Sequence, residues 1–201
     1  PATSSSTSND EGYQSNVLVE YGRDGFHWFQ TPQCVVVSAQ VALLCRTQPG
    51  AGHSFSYRVT IANQTSVIKP GQGDFMGSYA PPVLFSLRPA DQVIDANRAV
   101  GLPPLVLRTN GSQTMVIRGE NFGPAVMSDG RNVWNKVIAV YGDDPVRRAV
   151  SEGGRQFLAN DCRVVEPHSV IECLTSEGAG FSHIWNLTVS GQINRMPSSS
   201  Y

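Results

Sequence analysis

Four cysteines constrain this chain more than any other feature, because they fall into two pairs at one spacing: Cys34 with Cys45 and Cys162 with Cys173, each C-x10-C. Sliding the chain against itself by 128 positions superposes both pairs. The same shift brings Gly50-Ala51-Gly52 onto Gly178-Ala179-Gly180, Ser54 onto Ser182, Thr60 onto Thr188 and Gln64 onto Gln192. From position 34 to 64 there are 11 identities in 31. The differences are conservative where periodicity matters, with Tyr57 against Trp185, Val59 against Leu187 and Ile61 against Val189. A self-match at fixed offset marks a repeated structural unit. Upstream, Tyr21-Gly22 meets Tyr141-Gly142 at an offset of 120, so the second copy carries about eight additional residues, which read as a loop.

Four cysteines allow three connectivities. Duplication favours each pair closing on itself, Cys34–Cys45 and Cys162–Cys173. Zinc requires shorter cysteine clips with histidines at matching offsets, and His27, His53, His168 and His183 do not repeat in that way. Disulfides persist outside the cytosol, whereas the alternative is a cytosolic chain with free thiols used as small core residues. Three N-x-S/T sequons, at Asn63, Asn110 and Asn186, are candidate glycosylation sites. With the Ser/Thr-rich stretch from Thr3 to Ser8, they place the expected chain in a secreted or cell-surface glycoprotein.

Only 15% of the 201 residues are charged, against roughly 25% in an average domain. Lys+Arg 15 against Asp+Glu 16 leaves a formal net charge of −1. That balance lacks the basic field that tracks a phosphate backbone, so no nucleic-acid partner is expected. Apolar runs such as Val35–Val37 and Val41–Cys45 fall far short of the roughly 18 residues a membrane helix needs. No direct membrane insertion is expected. The chain opens on Pro1 without a charged-then-apolar leader, which reads as a fragment whose signal peptide is removed or belongs to a longer precursor.

The apolar residues recur with period two. Arg58-Val59-Thr60-Ile61 and Asn186-Leu187-Thr188-Val189 alternate, as do Thr114 to Arg118, while Gly, Pro, Asn and Asp punctuate the chain at short intervals. No stretch sustains a helical pattern, and Pro145 to Leu158, with two glycines, reads as an irregular insertion. Short antiparallel strands at this spacing predict β-sandwiches.

The ordered set Pro82-Val83 to Pro89, Val116 to Gly123 (V-I-R-G-E-N-F-G), Val137 to Gly142, Cys162-Arg163-Val164, Ile171-Glu172-Cys173, Gly178-Ala179-Gly180 and Leu187 to Gln192 resembles the IPT/TIG domains. These are immunoglobulin-like sandwiches of plexins, scatter-factor receptors, related transcription factors, and large algal and protist surface proteins. The resemblance covers residues 81–192 and implies an all-β fold of tandem immunoglobulin-like sandwiches, the first one incomplete. The first copy has only the back half of the pattern: a strand from Asn16 to Tyr21, the cysteine pair, the Gly-Ala-Gly turn and a last strand from Tyr57 to Ala62. The resulting division is 1–12, a polar lead-in; 13–74, the C-terminal part of a first repeat; 75–82, a linker; 83–193, a complete second repeat with an insertion near 143–160; and 194–201, the start of a linker to a further repeat. A sandwich without its first two strands exposes an edge, so an upstream segment is expected to supply them.

Other features weigh less. Gly119 and Gly123 around Asn121-Phe122 read as a turn, with Gly for positive φ, Asn for local hydrogen bonds and Phe as a core plug. Asp143-Asp144 with Asp161, or Asp129 with Asn132, lack the dense oxygen ligands of a calcium loop and read as solvated loops. Phe26, Trp28 and Phe29 beside His27 are core residues or an exposed surface for stacking on sugars or partners. Arg147-Arg148 reads as a solvated part of the insertion. No nucleophile–base or paired-carboxylate constellation falls into place, so no catalytic residue, cofactor or metal is expected and the chain is read as not an enzyme. The expected role is structural or adhesive, as repeats forming a rod or filament; the alternative is a carbohydrate- or protein-binding ectodomain of a receptor. Neighbouring repeats, copies of the same protein, another surface protein or a glycan are the expected partners. Lys69 and Lys136 are the only lysines against thirteen arginines, which hints at a GC-rich source; a flagellar (ciliary) surface coat or mastigoneme-type glycoprotein of an alga fits that composition.

Overall fold

The period-two pattern folds into strands throughout a computed structural model, which describes residues 17–23, 29–31, 33–67, 77–91, 106–125, 135–143, 156–180 and 183–194. The described residues form two compact units. One contains those up to Gln48 together with Ser54–Gly77; the other contains Pro49–His53 together with those from Ser78 onward. All described regular structure is β, in antiparallel sheets. Among the described residues no helix is long and apolar enough to cross a membrane.

The first unit runs β1 (Val17–Gly22), β2 (Phe29–Thr31), β3 (Cys34–Ser38), β4 (Ala42–Cys45), β5 (Ser56–Ile61) and β6 (Gln64–Val67). One sheet has the order β2-β1-β5-β6, and β3 with β4 makes a second, two-stranded sheet. Val17 and Val19 of β1 pack with Cys34, and Leu43, Cys45, Tyr57 and Val59 close around them from both sheets. β5 turns into β6 through Ala62 and Asn63, both at positive φ (47° and 65°). Two consecutive left-handed residues give the hairpin turn whose twist matches that of the strands.

The second unit runs β7 (Val83–Pro89), β8 (Thr114–Glu120), β9 (Val137–Asp143), β10 (Gln156–Leu158), β11 (Asn160–Glu166), β12 (Val170–Leu174), β13 (His183–Val189) and β14 (Gln192–Ile193). Its sheets have the orders β10-β9-β13-β14 and β11-β12-β8-β7. The first order repeats that of the first unit strand for strand, down to a two-residue turn at Ser190-Gly191 (φ 48° and 84°). Met115 and Ile117 of β8, Val164 of β11 and Ile171 and Cys173 of β12 share one buried core with Ala139 and Tyr141 of β9 and Trp185, Leu187 and Val189 of β13. A core shared by two facing antiparallel sheets makes this unit a sandwich, consistent with an immunoglobulin-like arrangement. Among the described residues of the first unit, β7 and β8 have no counterpart.

The insertion is narrower than 143–160. β10 lies inside that span and pairs with β9, Phe157 opposite Tyr141, as β2 pairs with β1, Phe29 opposite Tyr21. The extra residues therefore fall between β9 and β10.

Candidate functional site

Every cysteine is bonded within its own unit, Cys34 to Cys45 and Cys162 to Cys173, and no free thiol remains. In each unit the disulfide joins the hairpin that faces the other sheet. That is the chemistry of an oxidising compartment.

A second element recurs with the disulfide. Tyr21 of β1 stacks between Phe29 (4.9 Å) and Tyr57 (5.5 Å), and Tyr141 of β9 stacks between Phe157 (5.3 Å) and Trp185 (4.3 Å). The hydroxyl of Tyr21 accepts the backbone N–H of Gln48 at 3.0 Å. The hydroxyl of Tyr141 accepts the N–H of Ser176 at 2.9 Å and donates to its carbonyl at 3.1 Å. Gln48 and Ser176 stand 128 positions apart, each three residues after the second cysteine of its pair. Each tyrosine thus holds the chain leaving the disulfide hairpin, from the opposite sheet. Burial pushes Tyr141 above the ordinary tyrosine range, although its hydrogen bonds to Ser176 act the other way. Burial, followed by the neighbouring Tyr21, does the same to Tyr57. Phe29 is therefore a core residue; Phe26 and Trp28 lie outside the described residues.

Beyond Gln48, the Gly-Ala-Gly loop belongs to the second unit's core. Ala51 is 3% exposed and clusters with Phe122, Leu84 and Ile117. Gln192 grips the same place with both ends of its amide: Oε1 accepts the N–H of Gly52 at 3.1 Å, and Nε2 donates to the carbonyl of Tyr79 at 2.9 Å. Tyr79 N–H in turn donates to the Gly52 carbonyl at 2.9 Å. The G-x-N-F-G turn forms the floor. Asn121 (φ 63°) donates to the Pro81 carbonyl at 3.1 Å, and Phe122 is fully buried. Gly123 has φ 77°, as the turn reading expects, but Gly119 is not at positive φ. It is glycine because a Cβ there would lie 2.0 Å from the Val83 carbonyl oxygen and 2.4 Å from the Phe122 ring. Asn135 locks the turn, donating to the carbonyls of Phe122 (3.2 Å) and Pro124 (2.6 Å) while accepting from Ser190 Oγ (3.2 Å).

The three sequon asparagines are exposed: Asn63 in the β5–β6 turn, Asn110 in the turn before β8, and Asn186 on β13 between the buried Trp185 and Leu187. Of the acidic candidates, Asp161 lies exposed on β11, whereas Asp144, Asp129 and Asn132, like Arg147-Arg148, lie outside the described residues. Among the described residues no group of three or more His, Cys, Asp or Glu could hold a metal ion. The tyrosine clasp and the Asn135 lock were not singled out from sequence. The 128-residue offset carried the signal for the first, since it also pairs Phe29 with Phe157.

Fold and site together define a chain of two related, disulfide-clipped β units in which buried Tyr21, Tyr141 and Asn135 bond backbone groups. No protein-family model, no curated protein and no solved structure matches it.

Proposed function

We propose that this chain is a non-enzymatic structural or adhesive module of a large extracellular glycoprotein, in which immunoglobulin-like repeats of the IPT/TIG kind follow one another as a rod or filament. The observation that carries the reading is the loop Pro49–His53. The repeat assigns it to the first copy, yet it is built into the core of the second unit. A polypeptide that leaves one unit to complete the next, and then returns, suits an array that bears load along its length. Two disulfides and three exposed sequons support an extracellular site; the excess of arginine over lysine points to a GC-rich source, and the surface coat or hair-like appendage of an algal flagellum is a parent structure that fits it.

Antibodies against the chain test this on the source cells. Labelling of intact, unpermeabilised cells together with a mobility shift on endoglycosidase treatment is expected. Labelling only after permeabilisation, or free thiols in the native protein, would refute it. A glycan array is expected to stay silent, and a specific glycan signal would replace the structural role with a recognition role.

A further inference from the structure

The repeat places one hairpin in two settings. In the second unit β12 is an interior strand, paired with β8 from Val170–Arg118 to Leu174–Thr114, with β7 beyond. In the first unit β3 and β4 stand alone as two strands, and among the described residues no strand pairs with the far side of β4. The disulfide tells which backbone groups lie open. The Cα atoms of Cys34 and Cys45 are 4.1 Å apart, the close spacing of a non-hydrogen-bonded antiparallel pair. The next pair outward is tied by the Arg46 N–H on the Gln33 carbonyl at 3.1 Å. The N–H and C=O of Cys45, and of Leu43 two residues earlier, therefore point away from β3.

The side chains repeat the contrast. Val164 is 2% exposed while its counterpart Val36 is 40% exposed. Ile171 and Cys173 are fully buried, while their counterparts Leu43 and Cys45 are only half-buried. In the second unit this core is completed by Met115 and Ile117 of β8. On the outer face, Arg163 and Glu172 form a cross-strand ion pair at 3.5 Å; the first unit has Val35 and a 63% exposed Leu44 there.

We propose that β4 is an acceptor edge for an antiparallel strand of β8's chemistry, with alternating apolar residues aimed at Val36, Leu43 and Cys45, and that the donor is the polypeptide preceding β1 in the same molecule. This rests on the reading of the chain as part of a tandem array. Chain order assigns the source. Each described strand of the first unit has its counterpart in the second, in the same order, and there β7 and β8 precede β9. An added strand satisfies the open edge, as in other cases of β-augmentation.

The test lengthens the chain at its N-terminus with a second copy of residues 81–120, so that residues 1–16 occupy as many positions before β1 as 121–136 do before β9. Hydrogen exchange is then followed residue by residue. The Leu43 and Cys45 amides are expected to exchange at least about tenfold more slowly than in the original chain, and the original chain is expected to sediment as a monomer. The same copy appended after Tyr201 should leave those amides unchanged. Aspartate at the added positions matching Met115 and Ile117 should abolish the protection, and protected Ala159 and Leu187 amides, bonded to the Ala139 carbonyl and to Asn194 Oδ1, would show that the second unit is folded in every variant. Unchanged exchange in the N-terminal extension overturns the proposal. So does a dimeric original chain with both amides already protected, since a second copy would then be the occupant. Neither result bears on cell-surface labelling, so the two readings fail separately.

Discussion

Replacing Gly123 by alanine puts a methyl group into the tightest part of the second unit. The new Cβ would lie 2.9 Å from the Cβ of Ala51 and 3.0 and 3.1 Å from the side-chain amide atoms of Asn135. Asn135 cannot swing aside without losing its bonds to Phe122, Pro124 and Ser190. Holding alanine at φ 77° costs about 1–2 kcal/mol, and the overpacking adds about 1–3 kcal/mol. Gly123→Ala is therefore expected to destabilise the second unit by about 2–5 kcal/mol. Ala51→Gly alone should cost about 1–2 kcal/mol, from one lost buried methyl and greater freedom of the unfolded chain. In the double variant the Cβ–Cβ clash is gone while the backbone strain stays. The pair should be less destabilised than the sum by about 1 kcal/mol. Hydrogen exchange of the β13 amides in increasing urea measures the opening free energy of this unit by itself. Additivity within about 0.5 kcal/mol would refute the placement of the Gly-Ala-Gly loop against Gly123, and with it the observation on which the proposed function rests.

Three further outcomes are expected. Tyr57 and Tyr141 bind their protons more tightly folded than unfolded, so stability is fully present below the ordinary tyrosine pKa of about 10 and is lost as pH rises through the raised folded value; thermal melts above pH 10 should fall less steeply in Tyr57→Phe and Tyr141→Phe than in the parent. At neutral pH Tyr141→Phe, which gives up two hydrogen bonds to Ser176, should cost about 1–3 kcal/mol; denaturant titration measures the loss, and an unchanged midpoint would count against the clasp. Reduction should destabilise each unit by about 3 kcal/mol, since both bridges close loops with a sequence separation of 11; equal melts with and without reductant would show that the closed loops contribute nothing.

Much of the fold is written in local pattern. The alternation at Arg58–Ile61 and Asn186–Val189 becomes β5 and β13, and the C-x10-C spacing becomes two disulfide-bridged hairpins, because period and register are carried by neighbouring residues. β10 is three residues long with one half-buried side chain; it exists because β9 offers Tyr141 as a stacking partner, which no short window reveals. The Gly-Ala-Gly tripeptide makes the same point more sharply. Ala51 is buried and Ala179 is exposed, although the two tripeptides are identical. What differs is the surface that each meets, and that surface is assembled from Phe122, Gly123 and Gln192, far along the chain from Ala51. Gly119 was legible as a glycine position but not for its reason, since the obstacle is the Val83 carbonyl on another strand.

The two aromatic clasps also bear on engineering. Phe29 follows Tyr21 by 8 residues, and Phe157 follows Tyr141 by 16, yet both phenylalanines reach the same stacked position. Doubling a connection costs only about 0.6 kcal/mol of closure entropy, which a stacked aromatic pair worth about 0.5–1.5 kcal/mol can offset. The segment between β9 and β10 is therefore a natural insertion port. A foreign epitope or affinity peptide grafted there should be displayed without moving the strands that carry it, and a protein built from such units could acquire new surface properties one loop at a time while its scaffold stays fixed.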